Sequence, residues 1–345
     1  MTTLPPLLVT MGDPVGIGPE IIVAAAAAGE LHDAVVVGDP AVLRRAAALR
    51  GGGGPMAVLD SPRDAAPPGA LRVWMPPDLM PAASPALSAL PWGQVSAAAG
   101  AAAARCIEAA VARVQAGDGR AIVTAPLHKE ALAAAGVRFP GHTEMLQALA
   151  TPAVQSPPPV RMMLANPELR VVLATIHVSL RDAIAALDFD VVLSTIRIAD
   201  AAARRWGLAA PRIAVAGLNP HAGEGGLFGD EEIRFIGPAV QAARADGIDA
   251  SGPHPPDTVF MRARRGAFDL VVAMTHDHGL IPVKYLGVEE GVNVTLGLPF
   301  VRTSPDHGTA FDIAGQGRAD PSSLMAALHM ARALADGGSP AGAAG

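Results

Sequence analysis

Residues 276–317 read HDHGLIPVKYLGVEEGVNVTLGLPFVRTSPDHGTAFDIAGQG, and this segment decides how the organisation of the chain is interpreted. It combines imidazoles, carboxylates, cations and repeated glycines in one short stretch. Long charged side chains are rarely buried without a partner, so this mixture is unsuitable for a hydrophobic core. The preceding apolar run, residues 271–274, is typical of a buried strand that ends in a polar loop. Because such loops often carry binding and catalytic residues, we expect the chemistry of the protein here.

Length and composition indicate a globular protein of two domains. The chain has 345 residues, which exceeds the size at which a single hydrophobic core usually stops growing. Hydrophobic residues make up 50% of the chain and charged residues 17%, which provides ample material for a buried core. Aromatic residues contribute only 3%, so Ala, Val, Leu, Ile and Met must fill that core.

Charge and cysteine content exclude several classes of partner. The formal net charge of −6, without any block of Lys or Arg, argues against a nucleic-acid partner. The single cysteine, Cys106, excludes an internal disulfide and fits a reducing compartment. The sequence shows no signal-like segment and no apolar run near the roughly 20 residues of a spanning helix, so we expect no membrane partner. These features predict a cytoplasmic protein.

Short apolar runs alternate with helical patterns along the chain. This alternation predicts βαβ units and a parallel sheet, and therefore an α/β fold. Residues 61–91 are so rich in Pro and Ala that we predict a loop there. In the first part of the chain, the predicted strands are 7–10, 35–37 and 121–124, and the predicted helices are 21–28, 41–49 and 96–115.

Three histidines follow the ends of three predicted strands, which are residues 171–176, 213–216 and 270–274. His177, His221 and His276 thus lie just beyond carboxyl ends that share one edge of a parallel sheet. Three imidazoles with an open position suit a catalytic Zn²⁺, at roughly 2.0–2.1 Å per Zn–N bond. A metal there would act as a Lewis acid on a substrate oxygen. The spacing alone equally allows three separate loop histidines that cap helices or form hydrogen bonds.

Several other polar residues allow two interpretations each. Residues 11–20 have the layout of an anion-binding turn or of a plain tight turn between a strand and a helix. Thr143, in the sequence GHTE, could cap a helix or bind an anion at its start. Asp257 and Asp277 could orient a ligand imidazole or accept a substrate proton. For Asp277, a helix N-cap is a further possibility.

Five segments together resemble the 4-hydroxythreonine-4-phosphate dehydrogenase family of vitamin B6 biosynthesis. The resemblance covers most of the chain, and its longest part is residues 274–315. The loop 306–317 also closely resembles HGSAPDIAGKG, with which isopropylmalate-type dehydrogenases hold the adenosine half of NAD. The other four segments are MGDPVGIGPEI from Met11, GHTE from Gly141, LNPHAGEGGLFGDEE from Leu218 and GPHPPDT from Gly252.

The resemblance implies an isocitrate/isopropylmalate dehydrogenase-like α/β sandwich of two domains, with the active site in the interdomain cleft. We expect residues 1–135 plus 286–336 to form the first domain, which carries the NAD loop. Residues 136–285 would form the second domain, which carries the metal histidines. Residues 337–345 would be a disordered tail. The resemblance also implies a homodimer whose active site is shared between subunits, with one metal histidine coming from the partner.

The resemblance also assigns roles to individual residues. It makes His177, His221 and His276 ligands of a divalent metal, with Zn²⁺ favoured and Mg²⁺ or Co²⁺ as alternatives. NAD or NADP would be the second cofactor. Asp257 and Asp277 are the candidate catalytic carboxylates. The matching substrate-binding residues are His142, Thr143, Lys284, Asn293 and Arg302, and the cofactor-binding residues are Gly308, Thr309, Asp312 and Gly315.

The implied reaction is oxidation of 4-phosphooxy-L-threonine at C3, followed by decarboxylation to 3-amino-2-oxopropyl phosphate. Thr275 and His278 depart from the Tyr and Gln expected in the B6 enzymes, and Met11 stands where Pro is frequent. The sister 4-phospho-D-threonate (or D-erythronate) dehydrogenases are therefore the first alternative. A dihydrodiol-dicarboxylate dehydrogenase fits less well, because GHT and Lys284 suit a phosphate. An NAD-independent three-histidine hydrolase or aldolase would leave the loop 306–317 without a role, and a non-catalytic metal-binding protein would explain still less.

Overall fold

Strands and helices alternate along the computed structural model, which describes residues 4–80, 85–139, 141–151, 157, 159–287 and 289–337. The strands are β1 (Leu7–Thr10), β2 (Ala34–Val37), β3 (Met56–Leu59), β4 (Leu71–Trp74), β5 (Ala121–Thr124), β6 (Arg161–Ala165), β7 (Arg170–Leu173), β8 (Ile213–Ala216), β9 (Ala250–His254), β10 (Leu270–Ala273), β11 (Val292–Leu296) and β12 (Val301–Pro305). The α-helices are α1 (Gly18–Ala27), α2 (Pro40–Ala48), α3 (Ala97–Gln115), α4 (Lys129–Ala134), α5 (His142–Ala150), α6 (Leu180–Ala186), α7 (Phe189–Arg205), α8 (Gly237–Ala245), α9 (Pro256–Arg264), α10 (His276–Tyr285) and α11 (Ser322–Ala335).

The chain divides into two units that each contain their own strands. The first consists of the described residues up to 157 together with 298–335, and the second consists of 159–297 with 336–337. The sequence placed these boundaries at 135/136 and 285/286. In the structure, α5 belongs to the first unit because it packs against α3, and β11 belongs to the second because it pairs with β6. Of the predicted tail, residues 338–345 lie outside the described residues.

The first unit contains six parallel strands in the order β3-β4-β2-β1-β5-β12. β1, β2 and β5 are buried along their whole length, which is why their sequences are continuous apolar runs. The predicted parallel sheet is thus observed, with strands at the predicted positions. β12 brings a later part of the sequence beside β5, in parallel register from Val301 opposite Ala121.

Side-chain caps and small residues define the helices of the first unit. The Asp39 carboxylate accepts a hydrogen bond from the Ala41 N–H, at 2.7 Å, and Pro40 occupies the first helical position of α2. Ser96 caps α3, the long alanine-rich helix predicted for residues 96–115. A Cβ at Gly100 would overlap the carbonyl oxygen of Ala131, so α3 and α4 pack at very short range.

One part of the predicted loop 61–91 is wrong. It contains the strand β4 and a short 3₁₀ turn at Leu87–Ala89. β4 lies between β3 and β2, and its residues Val73 and Trp74 are buried. The residues flanking this four-residue strand are rich in proline, so the local sequence pattern does not reveal it. Parallel pairing on both sides stabilises the strand.

The second unit contains the strand order β11-β6-β7-β10-β8-β9. β7, β10, β8 and β9 are parallel, whereas β6 is antiparallel to both β7 and β11. A cluster of aliphatic residues forms the core, including Val171, Leu173, Val271 and Leu280. The predicted α/β fold class is confirmed by the strands and helices of both units. Among the described residues, no helix combines the length and apolarity needed to cross a membrane.

Candidate active site

A predicted metal histidine follows each of three adjacent strands in the second unit. β7, β10 and β8 are neighbours and parallel, so their carboxyl ends lie at one edge. His177 follows β7, His276 follows β10 and His221 follows β8. The placement expected from the sequence is therefore observed, while their role as metal ligands stays a prediction.

His177 and His276 lie side by side, with ring centroids 5.6 Å apart. His276 is the first residue of α10, and its Nδ1–H donates to Oδ1 of Asp277 at 2.7 Å. This bond leaves Nε2 to face a metal ion, and a carboxylate on the other ring nitrogen is usual for metal-binding histidines. Asp277 therefore orients an imidazole. Its interpretation as a helix N-cap is wrong, because Thr275 occupies that position.

His221 lies in a left-handed turn of the segment Pro220–Gly226. Six consecutive residues, 221–226, have positive φ. Three of them are not glycine: φ is 54° at His221, 55° at Ala222 and 43° at Glu224. This conformation costs roughly 1–2 kcal/mol for each non-glycine residue, so the surroundings must stabilise it. Within the turn, Nδ1–H of His221 donates to Oε2 of Glu224 at 3.0 Å.

The buried carboxylate of Glu232 holds this left-handed turn. Only 4% of Glu232 is exposed. Its Oε1 accepts the backbone N–H groups of Leu218, at 2.7 Å, and Asn219, at 2.8 Å. Its Oε2 accepts the side-chain amide of Asn219 at 2.9 Å. These bonds fix the chain immediately before His221. The sequence analysis did not identify Glu232, although it lies in the segment beginning at Leu218 that carries part of the family resemblance.

One chain assembles only part of the predicted metal site. In the part of the chain that the structure describes, no group of three His, Cys, Asp or Glu side chains is placed to hold a metal ion. The His177–His276 pair nevertheless suits a divalent ion, since it supplies two imidazoles and a carboxylate that orients one of them. His221 contacts Glu224 and Phe228, the latter with a ring separation of 6.0 Å.

Arg302 is a buried cation of the first unit. It lies on β12 and is 2% exposed, and its Nη2 donates to Oγ1 of Thr124 on β5 at 2.6 Å. Burial lowers the pKa of Arg302 to about 9. Removing a guanidinium from water is costly, so its burial requires compensating interactions.

His142 places a neutral imidazole near Arg302. Burial, and secondarily the positive charge of Arg302, hold the pKa of His142 well below its usual value. Its Nε2 is buried and makes no hydrogen bond within the described residues. Buried polar atoms normally have partners, so this nitrogen is available to a ligand. Thr143 is the second residue of α5 and Gly141 is the N-cap, so the interpretation of Thr143 as a simple cap is wrong.

The remaining predicted substrate and catalytic residues lie in the second unit. Lys284 is in the last turn of α10, and Asn293 is a half-buried residue of β11. Asp257 is exposed in the first turn of α9. The other three predicted substrate-binding residues belong to the first unit. The roles of all of them stay predictions.

The predicted cofactor loop 306–317 follows β12 in the first unit. A hydrogen bond within the loop stabilises its backbone: Nε2 of Gln316 donates to the carbonyl of Asp312 at 2.8 Å. Among the predicted cofactor residues, Gly308 and Asp312 are exposed, Gly315 is half-buried and Thr309 is buried. Exposed backbone and an exposed carboxylate are suitable partners for ribose hydroxyls.

The glycine turn before α1 packs directly against this loop. The Ile17 N–H donates to the carbonyl of Thr309 at 3.0 Å, and the Gly16 N–H donates to Asp13 at 3.1 Å. These groups are therefore used inside the protein. A tight turn between β1 and α1 describes this segment better than an anion-binding turn.

Asp13, which is buried, and His128, which is half-buried, were not singled out from the sequence. Asp13 is fully buried, and its Oδ1 accepts the Val15 N–H at 3.0 Å. Burial raises the pKa of Asp13 to about 6, despite the lowering effects of that hydrogen bond and of His128. The His128 ring stacks on Phe311 of the cofactor loop, with centroids 4.5 Å apart. Perturbed carboxyls of this kind are frequent at functional sites. Both residues follow predicted strands, 7–10 and 121–124, and Asp13 also lies in the segment from Met11 that carries part of the family resemblance.

Comparison with known proteins identifies relatives along nearly the whole chain. A 4-hydroxythreonine-4-phosphate dehydrogenase of Beijerinckia indica subsp. indica is 56% identical over 332 residues, which covers 95% of each chain. A D-threonate 4-phosphate dehydrogenase of Pectobacterium atrosepticum is 48% identical over 95% of this chain and 99% of the relative. The crystal structure of a 4-hydroxythreonine-4-phosphate dehydrogenase from Klebsiella pneumoniae matches with a TM-score of 0.88 and 47% identity, over 96% of this chain and 98% of that one.

The family model of the pyridoxal phosphate biosynthetic protein PdxA matches residues 30–331. This range includes all of the predicted metal, substrate and cofactor residues. The relatives that match over the full length are named as dehydrogenases, in agreement with the resemblance seen in the sequence motifs. The chain therefore belongs to the PdxA family of dehydrogenases.

Proposed function

We propose that the protein catalyses the NAD-dependent, metal-assisted oxidation of 4-phosphooxy-L-threonine at C3, followed by decarboxylation to 3-amino-2-oxopropyl phosphate. This is a step in the biosynthesis of pyridoxal and pyridoxine 5′-phosphate. The names of the relatives support the substrate class, and the family supports a dehydrogenase. NADP is the alternative electron acceptor.

The observation that carries the proposal is the buried guanidinium of Arg302, with Thr124 and His142 nearby. The planar guanidinium of Arg302 is suited to a phosphate, which it can contact through two parallel hydrogen bonds. His142 is neutral and can donate one N–H without adding a second positive charge. A phosphorylated substrate would use both groups.

The metal would be held by His177, His221 and His276, with one imidazole coming from a second copy of the chain. Such an ion, with Zn²⁺ favoured over Mg²⁺ or Co²⁺, supplies Lewis acidity when bound. The chain itself prepares the site, because Asp277 fixes the ring of His276 and Glu224 fixes that of His221. Both rings are thereby held with Nε2 directed away from the carboxylate.

The remaining residues bind the substrate, move a proton and hold the cofactor. Lys284 and Asn293 contact the substrate. Asp257, exposed at the start of α9, is the candidate to accept the proton of the C3 hydroxyl. The loop 306–317 would hold NAD, which would supply the hydride acceptor when bound. The β-keto acid that results loses its carboxyl group as CO₂.

D-Threonate 4-phosphate is a second candidate substrate, because relatives at 48% identity carry that name. The two substrates share a 4-phosphate and a C3 hydroxyl, and differ in an amino or a hydroxyl group at C2. Two residues that depart from the expected B6 sequence lie near His276. Thr275 is buried, and His278 has a buried Nδ1 that makes no hydrogen bond within the described residues. These side chains are candidates to distinguish the two C2 groups.

Side-by-side turnover tests the proposal. Purified protein with Zn²⁺ is given 4-phosphooxy-L-threonine or D-threonate 4-phosphate, each with NAD or NADP, and reduced nicotinamide and CO₂ are measured. We expect both products to appear in equal amounts with the first substrate. Faster turnover of D-threonate 4-phosphate would select the second candidate. Consumption of substrate without nicotinamide reduction would instead support a metal-dependent hydrolase or aldolase.

A further inference from the structure

Glu20 is a fully buried carboxylate on α1 that binds the loop 306–317. Its Oε1 accepts the backbone N–H of Gly315 at 2.6 Å. Its Oε2 accepts the backbone N–H of Gly317 at 2.8 Å. Both carboxylate oxygens of Glu20 are therefore bonded to one short stretch of backbone. Nothing in the proposed reaction requires a charge at this position.

Trp92 packs closely against Gly315. Gly315 has a φ of +82°, and a Cβ there would lie 2.5 Å from the Cγ of Trp92. Trp92 is itself fixed, because the guanidinium of Arg45 lies 3.8 Å from its ring centroid. Arg45 in turn donates to the carbonyls of Ser88, at 2.9 Å, and Leu90, at 2.6 Å. Gly315 thus contacts both the buried carboxylate of Glu20 and the fixed ring of Trp92.

The segment before Glu20 holds the other end of the same loop. The Ile17 N–H donates to the carbonyl of Thr309 at 3.0 Å, and Gly16 lies against the Thr309 side chain. Residues 16–20 therefore contact the loop at Thr309 and again at Gly315 and Gly317. Gly308, just before Thr309, and Asp312, between Thr309 and Gly315, remain exposed. The loop is fastened at its ends and presents its outer face to solvent.

Such an arrangement affects binding through conformational entropy. A loop that becomes ordered only when a ligand binds reduces the affinity by its ordering cost, and a loop held in advance does not. Two hydrogen bonds to one buried carboxylate are charge-assisted and therefore strong. If the loop moved away, the buried Glu20 carboxylate would lose its hydrogen-bond partners. Such an unpaired buried charge is strongly unfavourable.

We propose that Glu20 is a positioning residue that holds the loop 306–317 in its dinucleotide-binding shape before the cofactor arrives, and so sets the affinity for NAD. This inference rests on the proposed function, which assigns the loop to NAD. It gives the glycine turn of residues 11–20 a role, namely to seat the cofactor loop.

The test compares Glu20→Gln with Glu30→Gln. The first substitution keeps the size of the side chain, but the NH₂ group of the new amide would face a backbone N–H of the loop. We expect the Kd for NADH, measured by nicotinamide fluorescence, to rise at least about tenfold, or about 1.4 kcal/mol. Glu30 lies just after α1 and accepts a hydrogen bond from His329, at 2.7 Å, but it makes no hydrogen bond to the loop. Glu30→Gln should leave the Kd within about twofold, and neither change should alter binding of inorganic phosphate.

Hydrogen exchange provides a readout that does not depend on the cofactor. In the ligand-free wild type, the N–H groups of Gly315 and Gly317 should exchange much more slowly than that of exposed Gly308. Glu20→Gln should remove this protection. If Glu20→Gln does not fold, Glu20→Asp keeps the charge with a shorter reach and should show weaker protection and a higher Kd for NADH than the wild type; an unchanged Kd in Glu20→Asp would then overturn the positioning role.

The possible outcomes separate this inference from the proposed function. If the wild type binds neither NADH nor NADPH, the assignment of the loop to a nicotinamide cofactor fails, and this proposal fails with it. If the wild type binds NADH and Glu20→Gln binds it equally well, only the positioning role is overturned. The positioning role is also overturned if Gly315 and Gly317 exchange as fast as Gly308 in the wild type.

Discussion

The guanidinium of Arg302 is buried away from water, and the expected effect of removing it on activity follows from this burial. If Arg302 binds the substrate phosphate, its removal leaves charge-assisted hydrogen bonds unmade, each worth roughly 1.5–3 kcal/mol. At about 1.4 kcal/mol per tenfold, Arg302→Ala should lower kcat/KM on the order of 10- to 150-fold. We expect the same range for Lys284→Ala. Steady-state kinetics with the phosphorylated substrate measure both losses.

A substrate without the phosphate is the control for Arg302 and Lys284. The wild type should handle non-phosphorylated 4-hydroxythreonine poorly, and each variant should lose much less on it than on the phosphorylated substrate. Equal losses on the two substrates would show that the residue does not bind the phosphate. The assignment of that residue would then be withdrawn.

The three strand-end histidines should determine metal retention. We expect His177→Ala, His221→Ala and His276→Ala each to abolish activity and metal retention and to leave the fold intact, because each removes one imidazole from an ion with few protein ligands. Elemental analysis after gel filtration gives the metal content, and circular dichroism checks the fold. Full metal occupancy in any one variant would remove that histidine from the site.

Asp13 should make the stability depend on pH. Its pKa is about 6 in the folded protein, against 3.8 for an ordinary Asp, so the folded state holds the proton more tightly than the unfolded state. This group therefore contributes fully to stability below about pH 3.8, and the contribution is lost as the pH rises through about 6. At about 1.36 kcal/mol per pKa unit, the loss is on the order of 2–3 kcal/mol. Asp13→Asn should thus raise Tm relative to the wild type more at pH 8 than at pH 5.

Asp39 offers a matched control for Asp13. Both residues lie in the sequence Gly-Asp-Pro, and both carboxylates accept a backbone N–H two residues ahead. Asp13 is fully buried, whereas Asp39 is half-buried at the start of α2. The difference between the Tm effects at pH 5 and pH 8 should be larger for Asp13→Asn than for Asp39→Asn, because burial raises the pKa of Asp13. Equal differences for the two variants would contradict the buried-carboxyl argument.

At the scale of elements, the contact between α3 and α4 depends on a glycine within a helix. Alanine is normally favoured over glycine inside a helix by about 1 kcal/mol. At Gly100 the added Cβ would overlap the Ala131 carbonyl oxygen, so the helices would have to separate. Overpacking of this kind typically costs about 1–3 kcal/mol. We expect Gly100→Ala to lower the free energy of unfolding by about that amount in denaturant titrations.

Gly54→Ala is the control for this prediction. A Cβ at Gly54 would meet no atom within 4 Å, and its φ does not lie in the left-handed range. Removing a glycine there reduces the freedom of the unfolded chain and should leave stability unchanged or slightly higher. If Gly100→Ala is as stable as Gly54→Ala, the α3–α4 contact is looser than the structure shows.

At the scale of the whole molecule, we expect a homodimer in which each active site uses both chains. Large apolar side chains are exposed around the His221 turn, including Leu227 (72% exposed), Phe228 (48%) and Ile233 (59%). Apolar clusters of this kind commonly mark protein interfaces. Sedimentation at micromolar concentration should therefore give a dimer. A fully active monomer would contradict the prediction.

Mixing inactive variants tests whether the site is shared. If one of the three histidines comes from the partner, a hybrid dimer of that variant with either of the other two has one intact site. Two of the three pairwise mixtures of His177→Ala, His221→Ala and His276→Ala should then regain part of the activity. Recovery in none of the mixtures would place all three ligands in a single chain.

The sequence by itself was sufficient for features that follow from local periodicity and chain direction. Buried parallel strands are continuous apolar runs, so β1, β5 and β8 could be predicted from residue pattern alone. Because the carboxyl ends of parallel strands share an edge, the positions of His177 and His276 followed from the same pattern, and the structure confirms that they are neighbours. The family could also be predicted from the sequence, because each motif that indicates it is a contiguous stretch of residues.

Only the tertiary structure decided the features that depend on residues distant in sequence. β4 contains Arg72 and so is not a continuous apolar run, and it is stabilised by pairing with β2 and β3. The burial that raises the pKa of Asp13 comes from its surroundings in the fold, and its sequence Gly-Asp-Pro is the same as that around Asp39. Glu20 and Gly315 are 295 residues apart, and no local pattern relates them. Long-range packing brings such groups together, because a buried charge and a buried amide each require a partner that their own segment of chain does not supply.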